Sequence, residues 1–305
     1  MAGHRNGALW GSFVADALSM GPHWVYDIDK LRESYGSITG YTHPTVMDYH
    51  AGREPGELTH LGDQALLLLE SIQQRGDFDR DGWAADWREY FESYEGYFDA
   101  ATKQTLRHLQ AGDPVETAGS DSTELAGATR IAAVVYRYWD DPARMMQAAI
   151  EQTDVTHHTG IIVDCAAFIV HAIEAINAGE RPVAALRVAV TAQDYDELPA
   201  SEWVEQGIAA AGRVSTEAIG EFGRACDVRF SFPSTAQLVA RYEDDFRGAL
   251  IANVEAGGDS AARGLMLGLI LGAYHGSAAI PADWITGLAA QDRIANFTTA
   301  PVAAD

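Results

Sequence analysis

The segment from Phe246 to Gly276 constrains the fold more than any other part of this chain. It opens with apolar residues at helical spacing (Ala249, Leu250, Ile251, Val254), breaks at Gly257-Gly258 and restarts at Asp259-Ser260. The restarted stretch, through Ala261, Ala262, Leu265, Leu267, Gly268, Ile270 and Gly272, reads as a helix almost free of charge. A glycine pair frees the backbone for a sharp turn, and Asp259 or Ser260 then caps the bare amides of the new helix. A carboxylate heading an apolar helix is carried into the interior or to a cleft floor, where it needs a partner. Its local chemistry fits either a buried N-cap or a site carboxylate.

Two further segments obey the same logic. Gly7 to Met20, GALWGSFVADALSM, is an apolar helix with one charge, Asp16, and small residues (Gly7, Ala8, Gly11, Ala15, Ala17) suited to close packing. Gly21-Pro22 ends it, and His23, Trp24, Tyr26 and Asp27 come next as a polar-aromatic cluster able to line a cavity. Taken alone, His23 also fits a structural histidine with its hydrogen bonds satisfied. Thr59 to Ile72 turns into a buried helix after Asp63, which sits near a helix N-terminus as Asp259 does. Carboxylates at two helix starts are one way to build a core-facing acidic site. Residues 36–59 form a loop long enough to be functional or mobile. Its His43, Tyr49, His50 and Arg53 are candidate substrate contacts; a solvated connection is the other reading.

Elsewhere the spacing predicts helices at 79–109, 124–139, 142–152, 161–176, 182–192 and 202–225, with short ones near 230–238 and 282–291. Ala118 to Arg130 has capping-box spacing at Asp121-x-x-Glu124, and a Ser/Gly content that fits an anion cradle of Ser120, Asp121 and Ser122. Arg130 reads as a phosphate partner or a structural arginine. Thr156, His157 and His158 precede an apolar helix; adjacent histidines face different ways, so at most one reaches a site with Asp164. Sustained period-two alternation is absent. The expected fold is all-α: one compact multi-helix domain over 1–305, with ten to thirteen helices and a frayed end at 298–305. Gly7–Met20, Gly62–Ile72 and Asp259–Gly272 should pack centrally.

Charge narrows the partners. With 44 acidic against 21 basic residues, and Lys30 and Lys103 the only lysines, the chain carries −23. Such a surface repels nucleic acid and anionic membranes. Cys165 and Cys226 lack CxxC spacing and read as buried free thiols in a reducing compartment. The N-terminus lacks the layout of a signal peptide. The apolar runs are broken short of the roughly 20 residues a membrane helix needs. A cytoplasmic location is expected.

Three motifs, in order over nearly the whole chain, carry a family resemblance. GALWGSFVADALSM resembles the N-terminal motif of the ADP-ribosylglycohydrolases (the dinitrogenase-reductase-activating glycohydrolase superfamily), with Ala15-Asp16-Ala17-Leu18-Ser19 in place of Gly-Asp-Ala-Leu-Gly. AGSDSTELAGATRIAAV is similar to the family's central Gly-rich loop. GGDSAARGLMLGLILGAYHG is similar to its C-terminal Gly-Gly-Asp-Thr-Asp-Thr motif. In typical members a Thr-Asp-Asp motif and the C-terminal Asp-x-Asp-Thr hold two divalent ions. Here Thr59-His60-Leu61-Gly62-Asp63 replaces the first, Ala261 and Ala262 stand where the second has Asp and Thr, and the acidic position after the first motif falls near His23 or Trp24. Hard cations need several oxygen ligands, and alanine supplies none. The pattern resembles the branch that includes the jellyfish J1-crystallin-like proteins.

The resemblance implies a small-molecule or ADP-ribosyl-type substrate and hydrolysis of a bond to a ribosyl or related group. Such chemistry needs carboxylates and an activated water around an oxocarbenium-like transition state. Asp16, Asp63 and Asp259 are the candidate carboxylates, with His157 as a catalytic candidate beside them. His23, His60 and His157 are candidates for proton shuttling. His23, His60, Ser120, Asp121, Ser122, Gly257, Gly258 and Ser260 are candidate ligand contacts. A metal pair is not expected; at most one divalent ion such as Mg²⁺ would be held, by Asp63 and Asp259 with a histidine. The other reading is a non-catalytic nucleotide- or sugar-binding protein, or a crystallin-like structural one. An acid-rich, lysine-poor surface also suits a salt-rich cytoplasm. Chemical denaturation across a KCl series should then show stability rising with salt; a flat or falling curve counts against salt adaptation.

Overall fold

The computed structural model describes residues 2–299. Its helices are α1 (Ala2–Met20), α2 (Ile28–Tyr35), α3 (His60–Arg75), α4 (Arg80–Glu92), α5 (Ala100–Ala111), α6 (Ala126–Thr129), α7 (Ala132–Arg137), α8 (Pro142–Thr156) and α9 (Gly160–Asn177). They continue as α10 (Pro182–Ala192), α11 (Ala200–Ala209), α12 (Ser215–Phe222), α13 (Val228–Arg241), α14 (Phe246–Glu255), α15 (Ser260–His275), α16 (Ala282–Thr286) and α17 (Gln291–Thr299). The described residues contain no strand, and only two isolated bridges, Ser120 with His157 and Glu124 with Asp227. The chain is all-α and packs as one domain, as the sequence predicts.

The helices are more numerous and shorter than expected. The predicted 79–109 segment divides into α4 and α5, because Asp99 takes an extended conformation and caps a new helix by accepting from the Thr102 amide. The 124–139 segment divides into α6 and α7 at Arg130, and 202–225 into α11 and α12. Pro233 lies inside α13, which extends the short helix expected there to fourteen residues. Thr298 and Thr299 close α17, and the rest of the predicted frayed end, 300–305, lies outside the described residues. α9 is the one described helix long and apolar enough to cross a membrane by length and composition, and most of it is buried in the core.

The core is organised on α1 and α15, which run antiparallel in close contact. A Cβ added at Gly7 would meet the carbonyl oxygen of Gly272 at 2.1 Å, and one at Gly11 would meet that of Gly268 at 2.3 Å. The reverse holds too: Gly268 and Gly272 face the carbonyls of Gly11 and Gly7, each at 2.1 Å. Glycines four apart on both helices therefore form one seam in which backbone meets backbone. Ser12 and Ser19 hydrogen-bond across it to the carbonyls of Leu265 (3.1 Å) and Ser260 (3.0 Å). α3 packs against both helices, which makes the three segments expected at the centre the observed centre.

The seam predicts an asymmetry between glycines. Gly268→Ala forces the helices apart and should cost about 1–3 kcal/mol in denaturant unfolding. Gly3→Ala, on the same α1 but with nothing within 4 Å of the added methyl, should be neutral or slightly stabilising. Equal effects at the two positions would show that the seam does not set the helix spacing.

Candidate active site

Antiparallel packing places the C-terminal end of α1 beside the start of α15, and the connecting loops meet there. Trp24 N–H donates to the Gly258 carbonyl and Gly258 N–H to that of Val25, both at 2.9 Å. Asp259 N–H donates to the Arg224 carbonyl at 2.9 Å, and Val228 N–H donates to that of Thr123 at 2.9 Å. Segments 22–26, 120–125, 224–228 and 257–260 are thus laced into one end of the domain. Gly257 and Gly258 both have positive φ, +70° and +66°, and each is pressed against other backbone. Their role is to make this turn, with their backbone groups already engaged. Trp24 is the only non-glycine among the described residues with positive φ, at 61°. Such a conformation costs of order 1–3 kcal/mol and concentrates at functional sites.

Around Trp24 stands an aromatic and imidazole cluster. Its ring lies 4.3 Å from His23, 4.7 Å from Tyr49, 5.1 Å from Tyr97 and 5.2 Å from His60, between centroids. His23, His50 and His60 are buried, while Trp24 and Tyr97 are half-buried and Tyr49 is exposed. His60 Nδ1 and His50 Nε2 are 3.3 Å apart, and His60 Nε2 stands 3.2 Å from Asp99 Oδ2. Neither ring nitrogen of His23 has a hydrogen-bond partner; the nearest carboxylate oxygen, Asp259 Oδ1, is 3.8 Å from Nε2. A groove of about 600 Å³ runs along this cluster between residues 46–53 and 95–97, with Tyr49, His50, Arg53 and Tyr97 in its walls.

The predicted carboxylates do not converge as free groups. Asp16 is buried, and it accepts from Thr59 N–H at 2.8 Å and Thr59 Oγ1 at 2.7 Å, so its charge faces the N-terminus of α3. Burial raises its pKa to about 6, against the pull of the Thr59 bonds. Asp63 is held by the Arg53 guanidinium at 2.5 Å and the Tyr94 hydroxyl at 2.6 Å. Asp259 caps α15 by accepting from Ala262 N–H at 3.3 Å. Burial raises its pKa, opposed by Arg263, which is itself buried and bound to the Gly257 carbonyl at 2.6 Å. Only Asp259 of the three borders the histidine cluster with its charge uncommitted to an arginine contact.

Other expectations are corrected by the backbone. Ser120 is buried, its N–H donating to the Thr156 carbonyl at 3.0 Å and its hydroxyl to the same oxygen at 2.8 Å. The Ser122 and Glu124 amides donate to the Ser120 and Ser122 hydroxyls, and α6 is a single turn without a side-chain cap. The amides expected to cradle an anion are largely spent inside the loop, and Asp121 points to solvent. His157 is buried against Gly127 and bonded to Thr156 Oγ1 at 3.1 Å, and burial, then Arg130, lowers its pKa to about 3. His158 pairs with Asp154, and Asp164 accepts the Glu197 and Leu198 amides. Ser260 is buried, with a hydroxyl that has no partner. Arg130 takes the structural reading: it is buried among Gln64 and Thr156 side chains.

Two acids that sequence reasoning leaves out of the site belong to it. Glu124, which the sequence marks only as half of a capping box, has its Oε1 3.1 Å from Cys226 Sγ, which donates to it. Burial first and the Asp99 charge next raise its pKa to about 7. Asp99 is fully buried; burial alone would raise it, yet bonds from His60 and Thr102 hold it well below the usual carboxylate range. The sequence reading places Asp99 inside a continuous helix, and no local signal pairs it with His60, 39 positions away.

These residues do not fit a divalent ion held by Asp63 and Asp259. Asp63 already carries a cationic partner in Arg53, and Ala261 and Ala262 supply no ligand atoms. Among the described residues no three His, Cys, Asp or Glu side chains are placed to hold a metal.

Residues 5–304 match the protein-family model described as ADP-ribosylglycohydrolase. Crystallin J1A of Tripedalia cystophora is 22% identical, over 95% of this chain and 93% of its own. An uncharacterized protein of Archaeoglobus fulgidus is 26% identical over the same shares, 95% and 93%. A solved structure titled ADP-ribosylglycohydrolase-related protein complex superposes with a TM-score of 0.71 at 21% identity, covering 97% of this chain and 96% of that one.

If Arg53 and Asp63 are a structural pair, a double-mutant cycle with alanine at both should give a coupling energy of about 0.5–3 kcal/mol in unfolding experiments. Additive single effects would free Asp63 for another role.

Proposed function

The chain belongs to the ADP-ribosylglycohydrolase family, and from that premise we propose that it hydrolyses a glycosidic bond to an ADP-ribosyl or related ribosyl group without a divalent ion. The observation that carries this reading is the splitting of acids around one cluster: Glu124 raised to about 7, Asp259 raised, Asp99 held ionised. Carboxyl groups driven apart in pKa at one place are the usual mark of divided acid and base roles.

In this reading Glu124 is the general acid. It is protonated in about half of the molecules near neutrality and delivers its proton to the leaving group as the glycosidic bond breaks. Asp259 lies with its charge toward His23 and stabilises the positive charge that develops on the sugar. The faces of Trp24, Tyr49 and Tyr97 supply stacking surface for the sugar or a planar leaving group, and favour developing cationic character beside them. A cation is not required of the protein here, because Arg53, the α3 N-terminus and Arg263 already balance the acidic groups that one would bridge.

A second reading, binding without turnover, draws on separate facts. Asp16 and Asp63 are both engaged by structural partners, and crystallins stand among the relatives.

The full-length protein, assayed in chelator against ADP-ribosyl and nucleoside-type glycosides, should turn over at least one of them. Glu124→Gln should lower kcat by about 10²–10⁴. Since the protonated acid is the active form, the wild-type rate should fall as pH rises through about 7, and the variant should lose that limb. Saturable binding with no turnover in any case would establish the second reading instead.

A further inference from the structure

The ring geometry at the groove floor fixes where the protons of two histidines sit. Asp99 is held ionised, and its Oδ2 lies 3.2 Å from His60 Nε2, an ion-pair contact to a buried nitrogen that makes no aligned hydrogen bond. A carboxylate beside a ring nitrogen requires a proton between them, so His60 carries its hydrogen on Nε2. In neutral His60 the other nitrogen, Nδ1, is then a lone pair, and it stands 3.3 Å from His50 Nε2. His50 Nε2 must therefore be the donor of that contact. This leaves the lone pair of His50 on Nδ1, which has no hydrogen bond within the described chain, and His50 lines the groove.

We propose that Asp99, His60 and His50 form a proton relay that opens on the groove at His50 Nδ1, where it takes the proton of a bound water or substrate hydroxyl. The step balances without another reactant. The O–H bond breaks and a bond from His50 Nδ1 to hydrogen forms. The hydrogen on His50 Nε2 passes to His60 Nδ1, and the oxygen keeps the electron pair. His50 ends neutral with its tautomer inverted, and the positive charge rests on His60 against Asp99. Burial, then His60 and Arg53, push the pKa of His50 to about 3, which would make it a poor base alone. As the middle of a relay it never has to hold the charge. The same arrangement makes His50 polarity-switching: an acceptor toward the groove when His60 is neutral, a donor when His60 is protonated.

The titratable and charged groups facing this pair are Asp99, Glu124, Asp259 and Asp16 among the acids, the Arg53 guanidinium, and His23, which burial keeps neutral. His60 is a positioning residue and His50 the one that meets the ligand. The inference deepens the hydrolase reading by supplying the group that would take the water's proton, and rests on that reading only for the identity of the nucleophile.

Long-range ¹H–¹⁵N correlation spectra of the labelled, ligand-free chain test the relay without any substrate. While His60 is neutral both rings should show the Nε2–H tautomer. Wherever acidification doubly protonates His60, His50 should stay neutral and change to Nδ1–H together with it. Asp99→Asn should uncouple the two, and His60→Gln, which does not depend on the buried acid surviving substitution, should leave His50 without a pH-linked tautomer change. A His50 that shows Nδ1–H while His60 is neutral, or whose tautomer ignores His60, overturns the relay. Should glycoside turnover also be found, His50→Gln is expected to lower kcat at least about 10-fold with KM little changed. A relay present in the spectra with no turnover would sink the hydrolase reading alone, and turnover without the tautomer coupling would sink the relay alone.

Discussion

The contact between the backbones of α1 and α15 is what the rest of the molecule depends on. Helices rarely approach until carbonyls meet the opposite Cα; here four glycines, Gly7, Gly11, Gly268 and Gly272, remove every side chain that would keep them apart. The close approach has two consequences. It buries α15 on all sides, which is why that helix can be nearly uncharged. It also fixes the end of α1 against the start of α15 through the Ser19 bond to the Ser260 carbonyl. Asp16, His23, Trp24 and Asp259 thereby come from two distant parts of the sequence to one end of the domain. The site is a product of the seam.

A buried carboxylate must be compensated, and the fold does so differently for each one. Asp16 uses the amide and hydroxyl of Thr59 at the head of α3, Asp63 uses Arg53, and Asp259 uses the α15 amides with Arg263 nearby. Asp99 uses His60 and the Thr102 amide at 2.5 Å. Glu124 has the weakest compensation, a thiol donor in Cys226, and it lies within reach of the charges of Asp99 and Asp259. Protonation is the remaining way to neutralise it, and this is the physical origin of its raised pKa. Burial raises Asp16 and Asp259 as well, but Glu124 is the acid whose only side-chain donor is a thiol.

Much of the fold is legible in the sequence because it obeys local rules. The Gly257-Gly258 break and the Asp259 cap are visible as a turn and an N-cap, and the small residues of Gly7 to Ala17 announce a tight helix contact. The lengths of helices are not, since breaks such as those at Arg130 and before Asp99 are decided by what the chain packs against. The site is legible only in part. Asp16, His23 and Asp259 carry signals in their own neighbourhoods, a lone charge in an apolar helix or a polar cluster after its end, whereas His60 is marked only by the family resemblance. The Arg53–Asp63 pair and the Asp99–His60–His50 chain are contacts between a long loop, a helix start and a cap, and no periodicity encodes them. Glu124 escapes notice because a capping-box spacing has a sufficient local explanation, which hides its distant one.

Trp24 ties these levels together. Its backbone sits in the left-handed region at φ 61°, a conformation that an indole-bearing residue adopts only when surrounding bonds hold it. Those bonds are its N–H to Gly258 and the return bond from Gly258 N–H to Val25, so the strain is borne by the same glycine turn that presents Asp259. The result is an indole laid over His23 and His60 and flanked edge-on by Tyr49 and Tyr97. Excluding water from that side lowers the local dielectric, which strengthens the Asp99–His60 interaction and weakens any charge on His23 and His50. His23 and His50 are therefore kept neutral by burial under the aromatic cover, and the acid at their base is kept ionised by its bonds from His60 and Thr102. The groove edge at His50 is the opening that this arrangement leaves.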